Sequence, residues 1–149
     1  MTEPVSTHSD HRNSALPIDL LSDTASVAGD GALSIGGVDL AGLADRFGTP
    51  LFVYDETQLR SRCREAISVF GPGGAIYATK AFLCRAMARL AYEEGMRLDV
   101  ATSGEMHVAL QAGVPADALE MHGNNKSAEE LEQALQAGVG RIVVDSFDE

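Results

Sequence analysis

The sequence predicts an α/β fold in which parallel strands alternate with helices, and three observations carry that expectation. Four short apolar runs, at 75–78, 97–101, 119–122 and 141–144, recur about every 22 residues, with segments of helix-forming composition between them. Ile76, Leu98, Leu119 and Ile142 take similar places in successive units. Lys80, Asp99, Thr102, Ser103, His122, Asn124 and Asn125 collect at or just past the C-terminal ends of the runs. Alternating strands and helices imply parallel pairing through right-handed crossovers. Two architectures meet this pattern, an open doubly wound sheet and part of a (β/α)8 barrel, and polar residues at the strand ends suit the barrel rim. No Gly-rich phosphate fingerprint follows the first strand, which counts against a dinucleotide-binding domain.

Taken in order, residues 1–30 are rich in Ser, Thr, Asp and His without sustained periodicity and read as a disordered tail. His8 and His11 fall there as a solvated pair, and the apolar patch 16–21 has no evident docking place. Residues 31–40 read as a hairpin in which Leu33 and Ile35 lead into a Gly36-Gly37 turn and Val38 and Leu40 lead out. Asp39 caps a short helix to Phe47, and Gly48 ends it. Leu51-Phe52-Val53-Tyr54 has strand composition. A helix from Asp55 to about Phe70 presents Leu59, Cys63, Ala66, Ile67 and Phe70 on one face, and the run Gly71-Pro72-Gly73-Gly74 breaks it. The strand 75–78 precedes a helix over 82–94 with Leu83, Met87 and Leu90 inward, closed by Gly95. The strand 97–101 precedes a helix over 104–112 capped by Ser103, with Glu105 as a first-turn acid suited to the helix dipole. After the strand 119–122, Ser127 and Glu130 have capping-box spacing, Leu131, Ala134 and Leu135 face inward, and Gly138 ends the helix. The strand 141–144 is the last.

Composition narrows the function classes. The 149 residues carry 11 basic and 22 acidic side chains, a formal net charge of −11, so neither nucleic acid nor an anionic membrane is an expected partner. Hydrophobic residues make up 45% but aromatics only 5% with no Trp, so aliphatic side chains and Ala must fill the core. Cys63 and Cys84 lie inside expected helices, have no metal-ligand spacing, and read as thiols of a reducing cytoplasm. No apolar run reaches the length of a membrane span, and the N-terminal residues lack a signal-peptide core.

Lys80 is the candidate functional residue. It stands where the strand 75–78 stops and the next helix has not begun, which in α/β proteins is the rim that binds ligands. Partial withdrawal from water there favours the neutral, nucleophilic amine. The plainer alternative is a lysine whose stem covers apolar surface while its charge stays in water.

Four motifs in order, Gly48-Thr49-Pro50-Leu51-Phe52-Val53-Tyr54-Asp55, Tyr77-Ala78-Thr79-Lys80-Ala81, Leu98-Asp99-Val100-Ala101-Thr102-Ser103-Gly104-Glu105 and His122-Gly123-Asn124-Asn125-Lys126-Ser127, resemble those of diaminopimelate decarboxylases over residues 31–149. The second motif is shared with ornithine and arginine decarboxylases, and the fourth points to the diaminopimelate branch. The resemblance implies an α/β fold: the first half of a (β/α)8 TIM-like barrel, about four βα units over 56–149, preceded at 31–55 by a hairpin and strand belonging to a β-sandwich. It implies pyridoxal 5′-phosphate as cofactor, Lys80 as its Schiff-base lysine, Ala78 and Asp99 against it, no metal, and a homodimer. The implied reaction converts meso-2,6-diaminopimelate to L-lysine and CO2 in lysine biosynthesis.

Asp99 then orients Lys80 or stabilises an iminium, or is simply a helix-cap or solvated acid. His122 reads as a packed or solvent-facing rim residue, and Asn124, Asn125 and Lys126 as shaping the loop before Ser127. The family's phosphate-binding loop, ring-nitrogen acid and substrate-reading residues are expected beyond residue 149. The chain is therefore expected to be an N-terminal fragment, inactive alone. The alternatives are a non-catalytic truncated product and a related decarboxylase or racemase for another amino acid.

Overall fold

Gly36 and Gly37 have φ of 59° and 76°, the pair of left-handed positions that a two-residue hairpin turn needs. They join β2 (Leu33–Ile35) to β3 (Val38–Asp39), with Ile35 opposite Val38. The computed structural model describes residues 20–147, which divide into two units between Asp55 and Glu56. In the first, β1 (Ser26–Val27) adds to β2 as a third antiparallel strand. The hydroxyls of Ser22 and Thr24 donate to the Asp55 carboxylate, and Thr24 Oγ1 accepts from the Gly36 N–H at 2.8 Å. The expected tail is thereby corrected over residues 20–30: local polar bonds and a short ladder order a stretch that has no apolar periodicity. The rest of that tail, with His8, His11 and most of the patch starting at Leu16, lies outside the described residues.

Asp39 caps α1 (Leu40–Phe47), its carboxylate accepting from the Gly42 N–H at 2.7 Å, and Gly48 at φ 78° ends the helix. The strand expected at 51–54 is not formed among the described residues. Leu51, Val53 and Tyr54 are exposed, and Phe52 is 87% exposed. Strand propensity expresses the fit of a side chain to a pleated, partly buried surface, and no ladder here supplies one.

The second unit holds β4 (Ile76–Ala78), β5 (Arg97–Val100), β6 (Leu119–Met121) and β7 (Arg141–Ile142), all parallel and adjacent in chain order. Between them run α3 (Arg85–Glu93), α4 (Ser103–Gln111) and α5 (Ala128–Ala137), with α2 (Glu56–Phe70) ahead of β4. Each register step is 21 residues: Ile76 to Arg97, Leu98 to Leu119, Glu120 to Arg141. Leu98, Val100, Leu119 and Met121 are fully buried against Met87, Ala88, Ala91, Met106, Ala109 and Ala134. Alanines on the helices let their backbones close on the aliphatic face, as the composition required. Cys63 joins this core from α2. Burial pushes its thiol above the ordinary range, which suits an inert apolar filler.

An open doubly wound sheet reverses its strand order at a switch point and carries helices on both faces. Here the order never reverses and the helices cover one face only, so the sheet is a run of four successive strands of a (β/α)8 wall.

Several faces differ from expectation. Ile76 pairs with Arg97, not Leu98, and so lies on the face opposite the core; a one-residue slip in sequence alignment exchanges the two faces. Phe70 and Leu135 are about two-thirds exposed or more, at 68% and 71%, because each sits at the margin of its helical stripe. Thr102, not Ser103, is the N-cap of α4, and Cys84 is the N-cap of α3, not an interior helix residue.

Candidate active site

The uncovered face of the four-stranded sheet bears the side chains whose parity is opposite to the core. Ala78, Asp99, Glu120 and Arg141 are register partners in one row across it. The first three border a concavity of about 250 Å³ lined by Ile76, Ala78, Asp99, Glu120, His122 and Val143. The small Ala78 leaves the space, and the three titratable residues give it polarity.

Of the predicted site residues, Ala78 and Asp99 are on this wall. Lys80 stands just beyond it, in a 3-10 turn of Thr79–Ala81 after β4, and is exposed. The partial withdrawal from water expected of it is therefore not provided by the described residues: a turn at a strand tip carries the side chain out of the sheet's shelter. Its backbone is nevertheless held. Thr79, buried at 1% exposure, donates through Oγ1 to the Asp99 carbonyl at 2.7 Å. Tyr77 donates its hydroxyl to the Phe82 carbonyl at 2.7 Å.

The chain has two lysines, and they differ in kind. Lys126 donates to the Gly123 carbonyl and, at 2.8 Å, to the Val143 carbonyl, which ties the loop after β6 to the end of β7. Lys80 Nζ has no hydrogen bond or ion pair among the described residues. One amine is held by backbone carbonyls and the other stands exposed.

His122 is not merely a rim residue. Its Nδ1 lies 3.7 Å from Asp99 Oδ2 and its Nε2 lies 3.8 Å from Asp145 Oδ1, so the ends of three successive strands meet through it. Glu120 escaped the sequence reading. It is 4% exposed and accepts from Arg97 Nε and Arg141 Nη1, each at 2.8 Å, while Arg97 Nη2 donates to the Asp117 carbonyl at 2.6 Å. The 21-residue step from Asp99 would have found it. Thr102, Ser103, Asn124 and Asn125 do not line the concavity. Thr102 and Glu105 form the capping box of α4, with Glu105 accepting from the Ala101 and Thr102 N–H groups at 2.7 and 3.2 Å.

Ser127 and Glu130 form the capping box of α5. Glu130 also accepts from the Ser103 N–H at 3.2 Å, so one carboxylate joins two rim loops. The Ser127 and Ser103 N–H groups hold that carboxyl below the usual carboxylate range. Among the described residues no cluster of three or more His, Cys, Asp or Glu is arranged for a metal ion, and no helix is long and apolar enough to cross a membrane.

Residues 56–149 match the family described as pyridoxal-dependent decarboxylase, pyridoxal binding domain. Diaminopimelate decarboxylase of Mycobacterium tuberculosis is 54% identical over 120 residues, which cover 80% of this chain and 27% of that protein. The crystal structure of diaminopimelate decarboxylase from M. jannaschii in complex with L-lysine is similar with a TM-score of 0.73 and 31% identity, over 85% of this chain and 31% of that one. That of lysine/ornithine decarboxylase from Vibrio vulnificus with putrescine has a TM-score of 0.68 and 25% identity, over 83% and 32%. The chain thus spans about a quarter to a third of the length of these relatives. A parallel βα wall with one uncommitted lysine at a strand tip, over the span the family match covers, places the chain in the pyridoxal-dependent decarboxylases, with residues 56–149 as their pyridoxal-binding domain.

Proposed function

We propose that this chain supplies the cofactor-anchoring part of a diaminopimelate decarboxylase, which converts meso-2,6-diaminopimelate to L-lysine and CO2, and that Lys80 is the anchor of pyridoxal 5′-phosphate. The observation that carries the reading is the contrast between the two lysines: Lys126 is bound to backbone carbonyls, and Lys80 is held by its turn with its amine uncommitted. The group fits what surrounds it. A flat ring needs a wall without a bulky side chain, and Ala78 is that wall; a cationic nitrogen needs a carboxylate, and Asp99 faces the same concavity.

When bound, the cofactor supplies an electron sink for the pair released as the substrate carboxylate leaves. The chain's own residues do the rest of the work on this side. Lys80 reacts as the neutral amine, so it must first give up its proton to solvent or to a neighbouring base. Asp99 holds a positive nitrogen in place, and His122 lies beside it, 3.7 Å from Asp99 Oδ2 and 3.8 Å from Asp145 Oδ1. On the same reading the protein works in the cytoplasm, in keeping with the free thiols of Cys63 and Cys84, and as a homodimer at its relatives' full length.

The choice of substrate follows the 54% identity to a diaminopimelate decarboxylase. The likeness to a lysine/ornithine decarboxylase supports a second reading, a decarboxylase of another basic amino acid. The anchor is tested on the chain itself. Pyridoxal phosphate is added, borohydride reduces the product, and the labelled peptide is identified by mass spectrometry. The expected label is on the peptide containing Lys80 and disappears in Lys80→Ala; equal labelling of Lys126, or label that survives Lys80→Ala, refutes the proposal.

A further inference from the structure

A three-residue 3-10 turn has little internal hydrogen bonding, so whatever fixes the Lys80 backbone must come from its flanks. Two bonds outside any helix or ladder do this. The residue before Lys80 is tied across to the next strand, Thr79 Oγ1 to the Asp99 carbonyl at 2.7 Å. The residue two beyond it is tied back to its own strand, Tyr77 OH to the Phe82 carbonyl at 2.7 Å. Thr79 is 1% exposed, so its hydroxyl has no water to fall back on, and its acceptor is the backbone of the residue whose carboxylate faces the cavity. An apolar side chain of the same shape would pack in its place and leave that carbonyl without the bond. Packing alone therefore does not account for a hydroxyl here.

We infer that Thr79, with Tyr77 as a second tie, is a positioning residue that sets the Lys80 amine relative to Asp99. The inference rests on the reading of Lys80 as the anchor, and it adds residues that do not line the concavity. The backbone of β5 is the shared reference: Asp99 hangs from it, and through Thr79 so does the turn that carries Lys80.

The test uses the 149-residue chain with pyridoxal phosphate and borohydride. The lysine amine adds to the aldehyde with loss of water, and hydride from borohydride reduces the carbon–nitrogen double bond to a stable secondary amine. Lys126 serves as the internal reference. Thr79→Val is expected to lower the ratio of Lys80 to Lys126 labelling about five-fold, the weight of one neutral hydrogen bond. Thr79→Ser is expected to restore the ratio, and Tyr77→Phe to lower it. Amide hydrogen exchange is expected to speed up at residues 80–82 in Thr79→Val while β5 and α4 keep their protection.

A wild-type labelling ratio in Thr79→Val overturns the inference. So does a loss of protection spread alike over β5 and α4, which makes Thr79 a core residue only. If the wild-type chain labels Lys80 no better than Lys126, the anchor reading fails, and exchange at residues 80–82 still decides whether Thr79 holds the turn.

Discussion

Glu120→Ala tests how the polar wall is built. Glu120 is a carboxylate at 4% exposure that accepts from two guanidinium groups at 2.8 Å, so the substitution strips two charge-assisted bonds at once. The two arginines do not suffer equally. Arg141 has a side chain 62% exposed and returns to water at little cost. Arg97 is 24% exposed and keeps only its bond to the Asp117 carbonyl, so most of the penalty falls there.

Removing one partner of a fully buried ion pair costs roughly 3–5 kcal/mol, and an exposed pair contributes about 0–1. A site with one sheltered and one open arginine belongs between these, at about 2–3 kcal/mol. Urea unfolding followed by far-UV circular dichroism measures it, with hydrogen exchange of β5 and β6 locating the loss. The double variant Glu120→Leu, Arg97→Met removes the stranded charge and is expected to recover most of the stability. A loss below about 0.5 kcal/mol in Glu120→Ala, or no recovery in the double variant, refutes the argument that Glu120 is there to neutralise Arg97.

Two further outcomes are expected. Glu130 is held below the ordinary carboxylate range by the Ser127 and Ser103 N–H groups, so its contribution is full above the ordinary carboxylate pKa and is lost as pH falls through its depressed folded value. Thermal melts should therefore show Glu130→Gln less stable than the parent at neutral pH, with the gap closing as the pH falls below the ordinary carboxylate range; a gap that does not change with pH sinks this account. At Gly140 an added Cβ would run into the Asp117 carbonyl and come within 2.7 Å of Arg97 Nη2. Gly140→Ala should cost about 1–3 kcal/mol in urea unfolding, and a neutral result would show that the 116–118 segment moves freely.

Much of the fold was legible because its signals are local. The Gly36-Gly37 turn, the Asp39 cap, the Ser127 and Glu130 capping box and the left-handed Gly138 each depend on residues within four positions of one another. Lys80 and Asp99 could be placed near strand ends because a βα repeat puts those ends on one rim, whereas Ala78 was singled out only by the resemblance to the decarboxylases. Leu51–Tyr54 was misread for the opposite reason: a strand needs a ladder from elsewhere in the chain, and composition cannot say whether one is there. Ile76 was grouped with Leu98 because an apolar residue every 22 positions looks like a repeat, whereas the pairing advances by 21.

By itself the sequence determined that helices and parallel strands alternate, where most of them start and stop, and that a single lysine stands at a strand tip. Those properties are set by caps, breakers and short-range periodicity. The tertiary structure alone decided which face each strand side chain takes, and so that Glu120 and His122 share a wall with Asp99. It also decided that Thr79 spans to a carbonyl 20 residues away, and that Lys126 is structural while Lys80 is not. The physical reason is register. In a parallel sheet the neighbours of a residue are fixed by a pairing offset between distant segments, and an offset wrong by one residue moves every side chain to the other face.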